Sequence, residues 1–222
     1  IVKSILIDND NKYDSVKLNN TVSRESLLQS GLWTYIRQRP FSNIAKSDST
    51  PKSIFISAMP TEPFALDFDY LFGNSDNYLQ NGINTLIEIF NCDINFTSSE
   101  DSIFKKLNNV NHYSFNKLHP AGNVGVQIHH IDPIKDVDDI RCYLSMQDLN
   151  RIGYYFKQNK HFNYKYYSIG GNGVINPSYY KILIGTPIKK ITEFSIKNIR
   201  YISGDVLNGN EISQDMSIDY YD

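Results

Sequence analysis

Residues 53–59 read Ser-Ile-Phe-Ile-Ser-Ala-Met and lie between two prolines. A short apolar run of this kind, rich in β-branched and aromatic residues, is typical of a parallel strand that is buried on both faces. Strand-like runs recur at 93–97 and 112–115, and residues 80–90 before them carry apolar side chains at helical spacing. This alternation of strands and helices predicts an α/β fold with a doubly wound parallel sheet.

A helix is predicted upstream of the buried run. Ser23 can cap it, and its apolar residues recur at helical spacing as far as Ile36. Arg37 and Arg39 would lie at the negative end of this helix, and Pro40 would stop it. In the alternative interpretation, the guanidinium of Arg39 reaches an anionic group of a ligand.

The second half of the chain has a different pattern. Residues 164–169 and 179–184 are strand-like and flank a glycine-rich turn, residues 188–194 have helical spacing, and 198–202 are again strand-like. A hairpin followed by a helix and another strand is the order of a β-grasp module. The acidic run at 136–139 indicates a solvated link between the two halves.

The composition is that of an ordinary globular protein, with 222 residues, 41% hydrophobic, 21% charged, and a net charge of −2. Positive and negative residues are mixed along the chain, so the clustered Lys and Arg of a nucleic-acid-binding face are absent. No apolar run approaches the about 18 to 20 residues that cross a bilayer, and we expect no transmembrane segment. Cys92 and Cys142 lie 50 positions apart without metal-ligand spacing, and we predict no metal site.

The densest motif is Leu118-His119-Pro120-Ala121-Gly122-Asn123-Val124-Gly125, which follows a predicted strand. Open α/β sheets place their ligand crevices at such positions. Gly122 and Gly125 would let backbone N–H groups approach an anion or a ring, whereas in the alternative they serve only a tight connection. The GxGxxG spacing is absent and no helix clearly follows, which argues against dinucleotide binding. If the loop lines a ligand crevice, Gly122→Val should abolish ligand binding at little cost to folding.

Two adjacent histidines, His129 and His130, lie in a stretch that we predict to be a strand. Neighbouring strand residues point to opposite faces, so the two rings would not chelate one ion. Imidazole titrates near neutrality, and His129 is a candidate for contact with a ligand carbonyl or for proton donation. A hydrogen-bonded structural histidine is the alternative. No GxSxG, HExxH or Walker sequence occurs, and we predict no catalytic residue.

A set of segments, in order from about residue 23 to 209, resembles the A subunit of the sodium-translocating NADH:quinone reductases. The segments are Ser30–Trp33, Arg37–Phe41, Thr50–Ile56, Gln80–Gly82, His119–Gly125 with Gln127 and Ile128, Ile131 with Pro133, Gly170–Pro177, Ile184–Pro187 and Ile202–Leu207. Each segment alone is a weak signal, but as an ordered set they are fairly specific.

The resemblance implies a Rossmann-like domain over residues 1–135 and a smaller β-grasp domain of the soluble-ligand-binding type over 136–209. Residues 210–222 would then be a tail that leads to a C-terminal region outside this central fragment. Proteins of the family are peripheral, so the resemblance implies attachment through partner subunits to the cytoplasmic face of the bacterial inner membrane.

The resemblance also implies a contribution to quinone binding and complex assembly in a reductase that couples quinone reduction to Na⁺ export. Quinone would be the substrate, this chain would bind no cofactor, and flavins, iron–sulfur centres and NADH would belong to other subunits. The residues that we expect to bind quinone are Arg39, His119, Gly122, Asn123, Gly125 and His129.

Two other functions remain open from the sequence. One is an assembly module with no ligand, which docks neighbouring subunits. The other is an NADH- or flavin-binding domain with a divergent loop.

Overall fold

The computed structural model describes residues 10, 12, 21–73, 77–191, 194, 199–213 and 215–217. The chain divides into two compact units, and the division within its second half falls between Phe162 and Asn163. Each unit has its own strands and helices. Within the described residues, no helix is both long enough and apolar enough to cross a membrane.

The first unit is a mixed α/β structure. In chain order it contains α1 (Arg24–Gln29), a 3-10 helix (Leu32–Tyr35), β1 (Arg37–Arg39), β2 (Asn43–Ile44), β3 (Ser53–Ser57), α2 (Phe68–Gly73), α3 (Leu79–Phe90), β4 (Asp93–Ser98), a 3-10 helix (Ile103–Lys106), β5 (Asn111–Ser114), α4 (Val124–Ile131), β6 (Arg141–Ser145) and α5 (Met146–Gln158).

The six strands form one sheet in the order β2-β1-β6-β3-β4-β5. Strands β6, β3, β4 and β5 run parallel, and β1 and β2 add an antiparallel edge. Ile54, Phe55 and Ile56 of β3 have no exposed surface, which places the predicted buried run in the middle of the core. The parallel-rich α/β fold predicted from the sequence is confirmed, whereas its Rossmann-like character stays a prediction.

The predicted first helix is only partly correct. Ser23 caps α1 as expected, because its Oγ accepts a hydrogen bond from the Ser26 N–H at 3.1 Å. The α-helix ends at Gln29, and Gly31 then adopts the left-handed conformation, with φ of 75°. Arg39 therefore does not close a helix. It lies in β1, opposite Arg141 in an antiparallel pair that the local sequence does not reveal.

The domain boundary predicted at residue 135 is wrong. Strand β6 lies beyond it and still pairs in parallel with β3, from Arg141 opposite Ser53 to Ser145 opposite Ser57. The acidic run before β6 resembles a solvated link because a charged stretch is usually exposed. Here Arg141, at the start of β6, is fully buried and holds Asp139 of that run against the sheet.

The second unit consists of short antiparallel elements. They are β7 (Tyr164–Ile169) paired with β8 (Ser178–Leu183), a 3-10 helix (Ile188–Lys190), and β9 (Tyr201–Ser203) paired with β10 (Asn210–Ile212). The predicted hairpin is confirmed. The helix predicted over 188–194 is a 3-10 turn in its first part, and residues 192, 193 and 198 lie outside the described residues. The predicted tail contributes β10, which corrects its assignment as a tail, and the β-grasp topology stays a prediction.

Candidate ligand-binding site at the carboxyl ends of the parallel strands

The topology of the sheet indicates where a ligand would bind. Strand β3 comes first among the parallel strands, β4 and β5 are added on one side of it, and β6 returns to the other side. In open α/β sheets, ligands bind outside the carboxyl ends of the strands where the strand order reverses in this way. That place is the end of β3, at Ser57 and the loop that follows it.

Thr61 joins the loop after β3 to the loop after β5. Its Oγ1 accepts a hydrogen bond from the Gly122 N–H at 3.0 Å and lies 3.3 Å from Nδ1 of His119. The Ser57 hydroxyl also points to this loop, with its Oγ 3.4 Å from the Gly122 carbonyl oxygen. The structure therefore brings two of the predicted residues, His119 and Gly122, to the carboxyl end of β3.

Gly122 is required for the close approach of the two loops. A Cβ atom at this position would lie 2.5 Å from the Met59 carbonyl oxygen and 2.6 Å from the Thr61 nitrogen. Both are backbone atoms, so a larger residue would push the loops apart. The expectation that Gly122→Val costs little folding stability is therefore wrong, because the glycine serves the structure of the site itself.

A helix begins directly after this loop, which corrects two sequence predictions. Residues 124–131 form α4, so His129 and His130 lie on a helix and not on a strand. The sequence Val-Gly-Val-Gln-Ile favours a strand because apolar and other residues alternate in it, as in a half-buried strand. Asn123 is the N-cap residue, is exposed, and does not cap the helix with its side chain. His129 is exposed in the last turn, with its ring centroid 5.4 Å from that of His130.

Arg39 approaches the same helix. Its Nη2 would lie 3.0 Å from a Cβ at Gly125, so the guanidinium packs against the first turn of α4. Nη1 donates to the Ser42 hydroxyl at 2.7 Å, whereas Nε is buried without a hydrogen-bond partner among the described residues. Gly125 and His129 are four residues apart and share one face of α4. Arg39 thus joins Gly125, on the face of α4 that also carries His129.

A buried polar network beneath the loop has no counterpart among the sequence predictions. Gln127 has no exposed surface, and its Nε2 donates to Ser57 Oγ and to the Ala121 carbonyl oxygen, each at 3.0 Å. Its Oε1 accepts from Thr97 Oγ1 at 2.7 Å. The sequence offers one signal for this network: Gln127 is the only side-chain amide in an otherwise apolar stretch. A buried amide needs hydrogen-bond partners.

Replacing this glutamine with an apolar residue of similar size tests the network. Gln127→Leu is expected to lower the free energy of unfolding by about 2 kcal/mol, because the hydroxyls of Thr97 and Ser57 lose partners inside the protein. Urea denaturation followed by circular dichroism measures the change. Gln29→Leu is the matched control, since Gln29 is exposed and its side chain bonds within α1 to Glu25. Equal stabilities of the two variants would contradict a structural role for Gln127.

The two cysteines of the unit lie away from this site. Cys142 is in β6, and burial raises the pKa of its thiol to about 12; burial raises the pKa of Cys92, just before β4, to about 11. Both cysteines are free and protonated near neutral pH. Neither therefore supplies a thiolate nucleophile or ligand.

Fold and site together define a class of protein. It is a mixed α/β unit with a candidate polar ligand site at the carboxyl end of a parallel sheet, accompanied by a small unit of antiparallel strands. Two family models match the chain: "NqrA second alpha/beta domain" over residues 18–161, and "NQRA C-terminal domain" over residues 168–214. The chain belongs to the NqrA family, the A subunits of the Na(+)-translocating NADH-quinone reductases.

Curated relatives agree with this assignment. The chain is 34% identical over 196 residues to the A subunit of the Na(+)-translocating NADH-quinone reductase of Mannheimia succiniciproducens, which covers 87% of this chain and 44% of the relative. It is 32% identical over 204 residues to the corresponding protein of Histophilus somni, covering 90% and 46%. For Haemophilus influenzae the identity is 33% over 217 residues, covering 94% and 48%. The chain spans about half the length of the curated relatives it matches.

Proposed function

We propose that this chain is part of the A subunit of a Na⁺-translocating NADH:quinone reductase and that it contributes to quinone binding and complex assembly. The observation that carries the proposal is the cluster of Thr61, His119 and Gly122 at the carboxyl end of β3. A quinone has two carbonyl oxygens on a flat apolar ring, and each oxygen accepts hydrogen bonds. The His119 ring and the guanidinium of Arg39, which packs against Gly125 on α4, carry N–H groups of the kind that would orient such a head group.

Within the complex, the chain would be a peripheral part on the cytoplasmic face of the bacterial inner membrane, held by partner subunits. Quinone would be its ligand, and flavins, iron–sulfur centres and NADH would be carried by other subunits. We also propose that the first unit is Rossmann-like and that the second is a β-grasp module.

A thermal-shift titration with a soluble short-chain quinone, NADH and FMN in parallel tests this proposal. A ligand at 100 times its dissociation constant stabilises the native state by about 2.7 kcal/mol. For a chain of this size that corresponds to a rise in melting temperature of about 5 to 10 °C. We expect this rise with quinone only, and a smaller one for His119→Ala, which removes a donor from the cluster.

The control variant is His130→Ala, because His130 is also exposed but lies in the last turn of α4. It should keep the full response to quinone. Stabilisation by NADH or FMN instead would favour a divergent nucleotide-binding domain. No response to any of the three ligands would contradict quinone binding by this chain and favour an assembly module.

A further inference from the structure

One face of the β7–β8 hairpin carries a group of tyrosines. Residues along a strand alternate between the two faces of a sheet, and residues paired across two strands share a face. Tyr166 is paired with Lys181, and Ser168 with Tyr179. Together with Tyr164, two positions before Tyr166, they lie on the same side of the hairpin. We call Tyr164, Tyr166, Tyr179 and Lys181 the tyrosine face.

The opposite face of the hairpin is the one that packs inward. Ile182 is only 8% exposed and, because it directly follows Lys181 in the strand, it points to the other side of the sheet. Tyr164 and Tyr179 are 43% and 36% exposed, Lys181 is exposed as well, and Tyr166 is partly exposed. The hairpin thus buries an apolar face and presents an aromatic one to solvent.

The members of the tyrosine face are joined to one another. The ammonium of Lys181 lies 5.2 Å from the centroid of the Tyr164 ring, which is a cation–π distance. Lys181 is also directly opposite Tyr166 in the register, so both tyrosines are its neighbours. Tyrosine rings supply large contact areas at a low cost in side-chain entropy and are enriched in the centre of protein interfaces. An exposed group of such rings indicates an interaction surface.

The charges around this face determine the chemistry of what can cover it. Residues 163–192 contain four lysines and no aspartate or glutamate, although the whole chain has a net charge of −2. A lysine that is covered by a partner loses its hydration, which weakens the complex unless an acidic group meets the ammonium. Because residues 163–192 contain no such group, a protein that covers Lys181 would bring a carboxylate to it.

An anionic lipid surface fits the tyrosine face less well. Segments that bind such lipids carry about four to eight clustered lysines or arginines, whereas this face carries one lysine. Beyond the hairpin, Lys189 is already paired with Asp215 at 3.1 Å, which reduces the positive charge there. The observations therefore favour a protein partner.

We infer that the tyrosine face docks an acidic segment of another subunit of the reductase, with a carboxylate of that subunit paired to Lys181. This inference rests on the proposed function, in its part that concerns assembly, and adds the surface that is used and the chemistry of its partner. The tyrosine rings provide the contact area, and the ion pair fixes the orientation of the two chains.

Carbodiimide cross-linking of the assembled complex tests the ion pair directly. The reagent joins a lysine amine to a carboxyl group without a spacer, so it couples groups that are in contact. In the complex that contains the wild-type chain, peptide mass spectrometry should find Lys181 joined to an aspartate or glutamate of another subunit. Lys181→Arg should lose this cross-link and still enter the complex, because arginine keeps the positive charge but is not coupled.

Competition for assembly measures what the face contributes. A variant chain and a wild-type chain with different tags are produced together with the other subunits, and their ratio in the purified complex is determined. Lys181→Glu should be depleted at least about tenfold, because two negative charges then face each other. Tyr166→Ser should be depleted at least about threefold, because the contact area of the ring is lost.

Two controls separate docking from folding. Lys46→Glu makes the same change of charge at an exposed lysine of the first unit, and its ratio to the wild type should stay within about twofold. Replacing the cross-linked carboxylate with lysine in the other subunit should restore the incorporation of Lys181→Glu. A misfolded hairpin would not be restored by a change in another protein.

The outcomes distinguish this inference from the proposed function. If other lysines of the chain are cross-linked to neighbouring subunits but Lys181 is not, the docking surface is overturned and assembly stands. Wild-type incorporation of Lys181→Glu would also overturn it. Binding of the chain to phosphatidylglycerol vesicles that is lost in Lys181→Glu would assign the face to lipid and overturn the protein partner. Failure of the wild-type chain to enter the complex would overturn the proposed assembly role and the docking surface together.

Discussion

Gly153→Val is expected to abolish cooperative folding of the first unit. Gly153 lies in α5 at its crossing with α3, and a Cβ there would overlap the Tyr78 carbonyl oxygen and lie 2.6 Å from the Gly82 nitrogen. Gly82 in turn faces the Leu149 backbone, so the two helices touch through their main chains. Overpacking costs about 1 to 3 kcal/mol when side chains can yield, and we expect more than about 4 kcal/mol here because backbone must move.

Urea denaturation monitored by circular dichroism measures this effect. A loss of that size is a large share of the about 5 to 15 kcal/mol that stabilises a typical domain. Gly73→Ala is the control: Gly73 is also helical, but its added Cβ would meet only the tip of the Ile103 side chain, at 3.0 Å. Wild-type stability in Gly153→Val would show that α3 and α5 are packed differently.

Arg141→Met is expected to lower the free energy of unfolding by about 2 to 3 kcal/mol. Arg141 is fully buried, and its Nε and Nη2 bind both oxygens of Asp132, with Nη2 at 2.7 Å, while Nη1 binds Asp139. Removing one partner of a buried ion pair typically costs about 3 to 5 kcal/mol because the other charges remain. The expected value is lower because the two aspartates keep 23% and 18% of their side-chain surface.

The dependence of stability on pH is the sharper readout for this cluster. Hydrogen bonds from Arg141 hold the pKa of Asp132 and of Asp139 below their usual value. In the unfolded chain both carboxyls titrate near about 3.9. Their contribution is therefore complete above that pH and is lost as the pH falls through the lowered folded-state pKa values. In Arg141→Met, the free energy of unfolding should therefore fall less steeply at acidic pH than in the wild type. A pH dependence identical to that of the wild type would contradict the assignment.

The elements that can be predicted from the sequence are those whose own apolar residues mark the surface that they bury. Strand β3 and helix α3 are recognisable because the central strand is an apolar run and one face of the helix is apolar. Strands β1 and β6 are not, because each carries arginine. Only the tertiary partners of these arginines, such as Asp132 for Arg141, make a charged strand possible.

The candidate site is predictable in outline only. The glycines and His119 mark the loop after β5, but the contacts that build the site join residues 58 and 61 positions apart, through Thr61. A hydroxyl after β3 has no local pattern that reveals such a partner. Gln127 escapes prediction for the same reason, since its three partners come from two strands and a loop.

The most direct test of quinone binding at this place is a titration of the ¹⁵N-labelled chain with a short-chain quinone, followed by amide chemical shifts. We expect saturable shifts concentrated at the amides of Thr61, Gly122 and Val124, with the same dissociation constant at each. Saturable shifts confined to residues 163–217, or no shifts at all, would contradict a quinone site at the carboxyl end of β3.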